Sequence, residues 1–130
     1  MNADSGHVAG NVLYIEDNPV NTFLVDRILS ARPGVVLDTA PDGRSGLSSA
    51  ERLQPDLVLL DLELPDINGE QVLAGLRANP ATRAIPVIVI SANIDPAIQH
   101  RMLAGGARFF LTKPYEVTDL LRLVDGALAA

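Results

Sequence analysis

The 130-residue chain has no cysteine and no tryptophan, and only 4% of its residues are aromatic. The first absence excludes disulfide frameworks, thiolate zinc sites and cysteine nucleophiles. Long apolar stretches are missing as well. Hydrophobic residues reach 48%, but they come in short runs such as Leu57–Leu60 and Val87–Ile90. These fall far below the ~18–20 residues a membrane-spanning helix needs. Residues 1–10 are polar, contain glycine and carry no signal-peptide pattern. Ten cations against sixteen acids give a net charge of −6, and the arginines stand singly rather than in a basic stripe. That balance argues against direct binding of nucleic acid or of anionic membrane surfaces. No Gly-x-Gly-x-x-Gly follows the first apolar run and no P-loop is present, which disfavours a dinucleotide- or flavin-binding module. The expectation is one soluble, cytoplasmic globular domain over residues 11–130, behind a tail of residues 1–10.

What is present is a rhythm. Val12–Ile15, Val35–Leu37, Leu57–Leu60, Val87–Ile90 and Phe109–Leu111 are short apolar runs bounded by Gly, Pro, Asp or Asn. Strands buried on both faces read this way, without polar alternation. Between them, Val20, Phe23, Leu24 and Ile28 fall at helical spacing. So do Gly43, Gly46, Leu47 and Ala50, then Val72, Leu73 and Leu76, then Ile98 and Met102. The last stretch, Val117, Leu120, Leu121, Val124 and Leu128, marks one apolar face. Asp17 or Asn18 can cap the first helix ahead of Pro19. Asn68-Gly69 reads as a turn, and Gly105-Gly106 as left-handed stop positions. Strands about 20 residues apart allow helical crossovers, so they should run parallel with right-handed connections. The pattern predicts an α/β fold, a (βα)5 three-layer sandwich.

In such a sheet, ligands sit outside the carboxyl ends of the strands, at the switch point of strand order. Strand one ends in Glu16-Asp17, strand three in Asp61, strand four in Ser91, and strand five in Thr112-Lys113. With the common order 2-1-3-4-5, the acids meet at the switch point. Three carboxylates there repel one another, and a divalent cation with hard oxygen ligands, Mg²⁺, relieves them. Lys113 is the chain's only lysine among ten cations, a compact point charge where arginine serves everywhere else. Carboxylates, cation and ammonium together suit a phosphoryl group, with a carboxylate as acceptor. Singly, each residue has a plainer role: Asp17 as a helix cap, Glu16 and Asp61 as turn acids, Ser91 as a turn hydroxyl, Lys113 as a loop cation.

Taken in order, these pieces resemble the receiver domain of two-component response regulators over 11–129. The matching segments are Leu13-Tyr14-Ile15-Glu16-Asp17-Asn18, Asp56 through Asp61 with Pro65 and Asn68-Gly69, Pro86 through Ala92, and Gly106-Ala107 leading to Lys113-Pro114. The Glu16-to-Asn21 opening looks most like receivers attached to hybrid histidine kinases. The resemblance implies a flavodoxin-like sheet and a set of roles. Asp61 would be the phosphoacceptor, fed from a phosphohistidine on a histidine kinase or histidine phosphotransfer protein. Asp17 and Asp61 would hold Mg²⁺ by side chain, Glu63 by its backbone carbonyl and Glu16 through water. Lys113 would pair with the acceptor carboxylate or its phosphate, and Ser91 would bond the phosphoryl after transfer. Phe110 would follow that movement, and Lys113-Pro114 would be cis. The surface of helix four, strand five and helix five, with Tyr115, Glu116 and Asp119 at its exposed end, would face a target or a second copy. Glu16 for the commoner Asp, Ser91 for the commoner Thr, and Leu64 and Ile67 for Met depart from the usual pattern without removing a needed group. Such a chain is no enzyme beyond its own phosphorylation and dephosphorylation.

Two other readings share part of the pattern. A haloacid dehalogenase-type phosphohydrolase could use Asp61 as nucleophile and Glu63 as general acid, but its nucleophile usually sits on the first strand, and nothing here resembles a cap domain. A receiver-shaped adaptor that is never phosphorylated would have no need of all five competent positions. His7 and His100 lack a phosphohistidine-donor context, so the donor comes from outside the chain.

Overall fold

A computed structural model describes residues 8–129. Five strands alternate with five helices: β1 Ala9–Ile15, α1 Pro19–Leu29, β2 Gly34–Ala40, α2 Gly43–Leu53, β3 Leu57–Leu60, α3 Gly69–Ala78, β4 Val87–Ser91, α4 Pro96–Ala104, β5 Phe109–Thr112 and α5 Val117–Leu128. All neighbouring strands pair in parallel, in the order β2-β1-β3-β4-β5. The expected flavodoxin-like (βα)5 sandwich is therefore the fold. Ala9 and Gly10, placed in the tail by the sequence, already belong to β1, while residues 1–7 lie outside the described residues.

Strand periodicity divides the core into two layers. Leu13, Ile15, Val58, Leu60, Val87 and Val89 point toward α2, α3 and α4, where Ala50, Val72, Leu76 and Met102 cover them. Val12, Tyr14, Leu57, Leu59, Ile88 and Ile90 point the other way, onto Val25 and Leu29 of α1 and Leu120 and Val124 of α5. Every residue of β3 is fully buried, so each of its leucines contributes about 1.5–3 kcal/mol of transfer free energy.

The helix expected from Val20, Phe23, Leu24 and Ile28 is present as α1, and the structure decides which of its faces is inward; two other local expectations need correction. On α1 the core takes Val25 and Leu29, while Val20, Phe23 and Leu24 are 62%, 58% and 50% exposed. The inward face of α1 begins at Asn21, a polar residue that breaks the apolar pattern, so the outward stripe looks more regular. Gly105 keeps a right-handed conformation (φ −79°), and of the glycine pair only Gly106 is left-handed (φ 113°). Asn68-Gly69 is no separate turn: Asn68 caps α3 and Gly69 is its first residue. Asn18, rather than Asp17, caps α1 by accepting from the Val20 amide at 2.8 Å. Asp17 is thereby free of a capping duty.

Candidate phosphoryl and cation site

The strand order sends β1 and β3 side by side and their connections to opposite faces, so a crevice opens beyond their carboxyl ends. Ladder bonds carry on past the strands and fix what lies there. The Glu16 amide donates to Ala40 O at 2.9 Å, that of Asp61 to Ile15 O at 3.1 Å, and that of Lys113 to Ser91 O at 2.9 Å. Glu16, Asp17 and Asp61 can bring one carboxylate oxygen each within 4.8 Å of one another. Glu16 and Asp61 are buried, while Asp17 is exposed. The Asp61 Oδ1 accepts from the Glu63 amide at 3.3 Å. Glu63 itself is exposed on the loop beyond.

Lys113 enters from the far side, and its carboxylate partner is Glu16: Nζ lies 3.3 Å from Oε1. Among the described residues it forms no ion pair with Asp61, whose carboxylate or phosphate is the partner that the resemblance implies. Glu16 has one methylene more than the commoner Asp and reaches the ammonium first. The same Oε1 accepts from the Tyr14 hydroxyl and from Asn21 Nδ2, each at 3.1 Å, and Oε2 accepts from the Asn18 amide at 3.3 Å. Burial alone would raise the Glu16 carboxyl. Its hydrogen bond with Asp61, the Lys113 charge, and the Asn18 and Asn21 donors outweigh that and hold it below the ordinary value. Asp61 has the opposite balance. Burial, then the hydrogen bond and charge of Glu16, push it up to about 7, against weaker opposing effects of Lys113 and the Glu63 amide. Two buried acids thus compete for one set of positive partners. Three hard oxygen donors in that state, one of them open to solvent, fit a small divalent cation.

The remaining predicted residues fall around this pair. Ser91 is fully buried at the end of β4, and its Oγ accepts from the Asn93 amide at 3.1 Å. Phe110 is half-buried on β5, packed against the core layer that holds α3 and α4. Lys113-Pro114 is cis. Tyr115 is half-buried against the α1/α5 layer rather than exposed. Three contributors escaped the sequence reading. Tyr14 and Asn21 bind Glu16 from i−2 on the strand and i+5 on the helix, spacings that acquire meaning only once α1 is docked. Asp66 accepts from the Gly43 and Arg44 amides at 2.7 and 2.8 Å. It ties the loop after Asp61 to the N-terminus of α2.

Comparison with known proteins agrees with this geometry. The family model for the response regulator receiver domain matches residues 12–125. The chain is 31% identical to protein PilH of Pseudomonas aeruginosa over 91% of its length and 97% of PilH. It is 33% identical to the nitrate/nitrite response regulator NarL of Escherichia coli, where it spans 57% of the relative. Among solved structures, the receiver domain of the sensor histidine kinase PA1611 from P. aeruginosa, with a magnesium ion coordinated in its active-site cleft, superposes with TM-score 0.84. It is 29% identical, over 94% of this chain and 99% of that one. The receiver domain of a signal transduction histidine kinase from Syntrophus aciditrophicus gives TM-score 0.83 at 31% identity, over 92% and 90%.

Proposed function

The chain belongs to the response regulator receiver domain family of two-component signalling, and from that premise we propose that Asp61 accepts a phosphoryl group from a phosphohistidine. The observation that carries the reading is Asp61 at the end of a central strand, with two further acids beside it and the lone lysine held on one of them, Glu16. In the transfer, an Asp61 oxygen forms the bond to phosphorus as the bond to the donor imidazole breaks. Glu16, Asp17, the Asp61 carboxylate and the Glu63 carbonyl would hold Mg²⁺, whose charge offsets that of the phosphoryl oxygens. Lys113, on a flexible stem, moves from Glu16 to the phosphoryl and supplies the second positive charge. Ser91 donates its hydroxyl to a phosphoryl oxygen. Phe110, packed beside β4, takes up the space this movement frees and alters the α4–β5–α5 surface, a population shift between two packings. A target or a second copy would read that surface.

The donor has a docking place beside the site. Val20, Phe23 and Leu24 form an exposed apolar stripe on α1. It borders a groove of about 750 Å³ between α1 and α5, walled by Leu24, Ile28 and Leu121 and reaching Lys113. A histidine kinase or phosphotransfer protein would lay its helical surface there. The chemistry ends with the chain's own phosphorylation and dephosphorylation. No helix among the described residues is long and apolar enough to cross a membrane, and we place this relay in the cytoplasm. Intact mass before and after acetyl phosphate with Mg²⁺ tests the reading. One added phosphoryl is expected on the parent and none on Asp61→Asn. Labelling of Asp61→Asn on an acid-stable residue would refute it.

A further inference from the structure

Tyr14 is almost completely buried, 1% exposed, yet it carries a hydroxyl. Among the described residues that hydroxyl has one partner, Glu16 Oε1 at 3.1 Å. Residues i and i+2 of a strand share a face, so Tyr14 directs the Glu16 side chain to the α1/α5 side of the sheet. There Asn21 of α1 meets the same oxygen at 3.1 Å and Lys113 at 3.3 Å. Three donors on one carboxylate oxygen leave it no room for a fourth. The three are not equivalent. Tyr14 is locked in the core and Asn21 is fixed on a helix. Lys113 has a flexible stem and keeps 24% of its side chain exposed.

We propose that Tyr14 and Asn21 are positioning residues, a neutral donor pair that holds Glu16 in place so that Lys113 can leave it for the phosphoryl group. Neutral donors do this where a second cation could not, because they weaken the hold of Glu16 on Lys113 without adding a charge that repels it. They also keep Oε1 occupied, which leaves Oε2, with the Asn18 amide as its one donor among the described residues, for a cation or its water. The longer Glu16 makes the pair necessary: unrestrained, its extra methylene lets it follow the ammonium. The proposal rests on the reading of Asp61 as phosphoacceptor for its kinetic half only.

The consequence has two signs. Tyr14→Phe keeps the ring and removes one neutral donor, so the unchanged charge of Glu16 acts more strongly on both Lys113 and a cation. Magnesium binding should tighten, with Kd for magnesium chloride alone falling about threefold in calorimetric titration. Labelling by acetyl phosphate at saturating magnesium should slow by roughly tenfold, the worth of one hydrogen bond to a charged group. A merely structural role loosens the site and weakens both. Asn21→Ala, at a half-buried helix position, should show the same pair of changes, and it carries the test where Tyr14→Phe does not fold. In a Glu16→Gln background Tyr14→Phe should change neither quantity, because the charge it manages is gone. Magnesium binding that is unchanged or weaker in the variants overturns the proposal. If the parent chain takes no phosphoryl group, the functional reading fails while the magnesium titration still decides the role of Tyr14 and Asn21.

Discussion

One chemical change, glycine to alanine, should have opposite effects at two helical positions. At Gly69, the first residue of α3, a Cβ would lie 2.6 Å from Leu62 Cα, 2.7 Å from Leu62 Cδ2 and 2.8 Å from Asp61 O. Two of these are backbone atoms of the segment that carries Asp61, and the Gly69 amide is already bonded to Leu62 O at 2.9 Å. Reaching ordinary carbon–carbon contact requires a retreat of roughly 0.8 Å. The segment is held by the Asp61 amide on Ile15 O, so the strain falls on the site. Overpacking of this kind costs about 1–3 kcal/mol, and ~2 kcal/mol in a domain of this size lowers Tm by about 6–10 °C. Misplacing a reacting group by 1 Å costs up to ~100-fold in rate, so labelling of Asp61 should slow at least ~10-fold. At Gly126, in the last turn of α5, a Cβ meets nothing within 4 Å. Gly126→Ala should instead stabilise the chain by about 0.5–1 kcal/mol through backbone entropy and leave labelling unchanged. Thermal unfolding and labelling by acetyl phosphate read both variants. A Gly69→Ala protein as stable and as quickly labelled as the parent would refute the close-approach reasoning.

Asp66→Ala should slow labelling by freeing the loop after Asp61. Burial would raise the Asp66 carboxyl, but the Arg44, Gly43 and Ile67 amides hold it down to about 2. Its contribution to stability is therefore complete above the ordinary carboxyl range near ~3.9 and fades as pH falls toward 2. Urea denaturation should show a parent–variant difference that is constant from neutral pH to about 5 and shrinks below ~4. Arg32 joins Asp125 through two bonds of 2.8 Å, with side chains 14% and 28% exposed. A double-mutant cycle should give a coupling of about 1–2 kcal/mol, against ~0–0.5 kcal/mol for the exposed Arg122–Asp119 pair. Glu63→Ala should speed labelling by acetyl phosphate, with a gain that shrinks as salt screens the lost charge and with unchanged magnesium affinity. Serine at Phe23 and Leu24 should slow transfer from a phosphohistidine donor while acetyl phosphate labels the variant at the parental rate.

The order of elements and the chemistry at the sheet edge were legible in the chain because both are local. Leu57–Leu60 and Val87–Ile90 announce buried strands by composition, and Asp61 and Ser91 follow from where those runs stop. The common strand order of such sheets placed the acids at the switch point, and the motif resemblance then supplied the roles. What the chain could not show is which groups meet across long separations. Lys113 and Glu16 are 97 residues apart, and nothing in either segment decides that the ammonium rests on Glu16 rather than on Asp61. The inward face of α1 is not legible in the chain for a related reason. Its first residue, Asn21, is polar and donates to Glu16, which interrupts the periodicity that marks a core face. Asp66 looks like an ordinary turn acid until the fold brings the α2 amides to it, 22 and 23 residues away. Periodicity records how each segment divides water from core. Hydrogen-bond partners are set by three-dimensional distance, which arises only when the layers have packed.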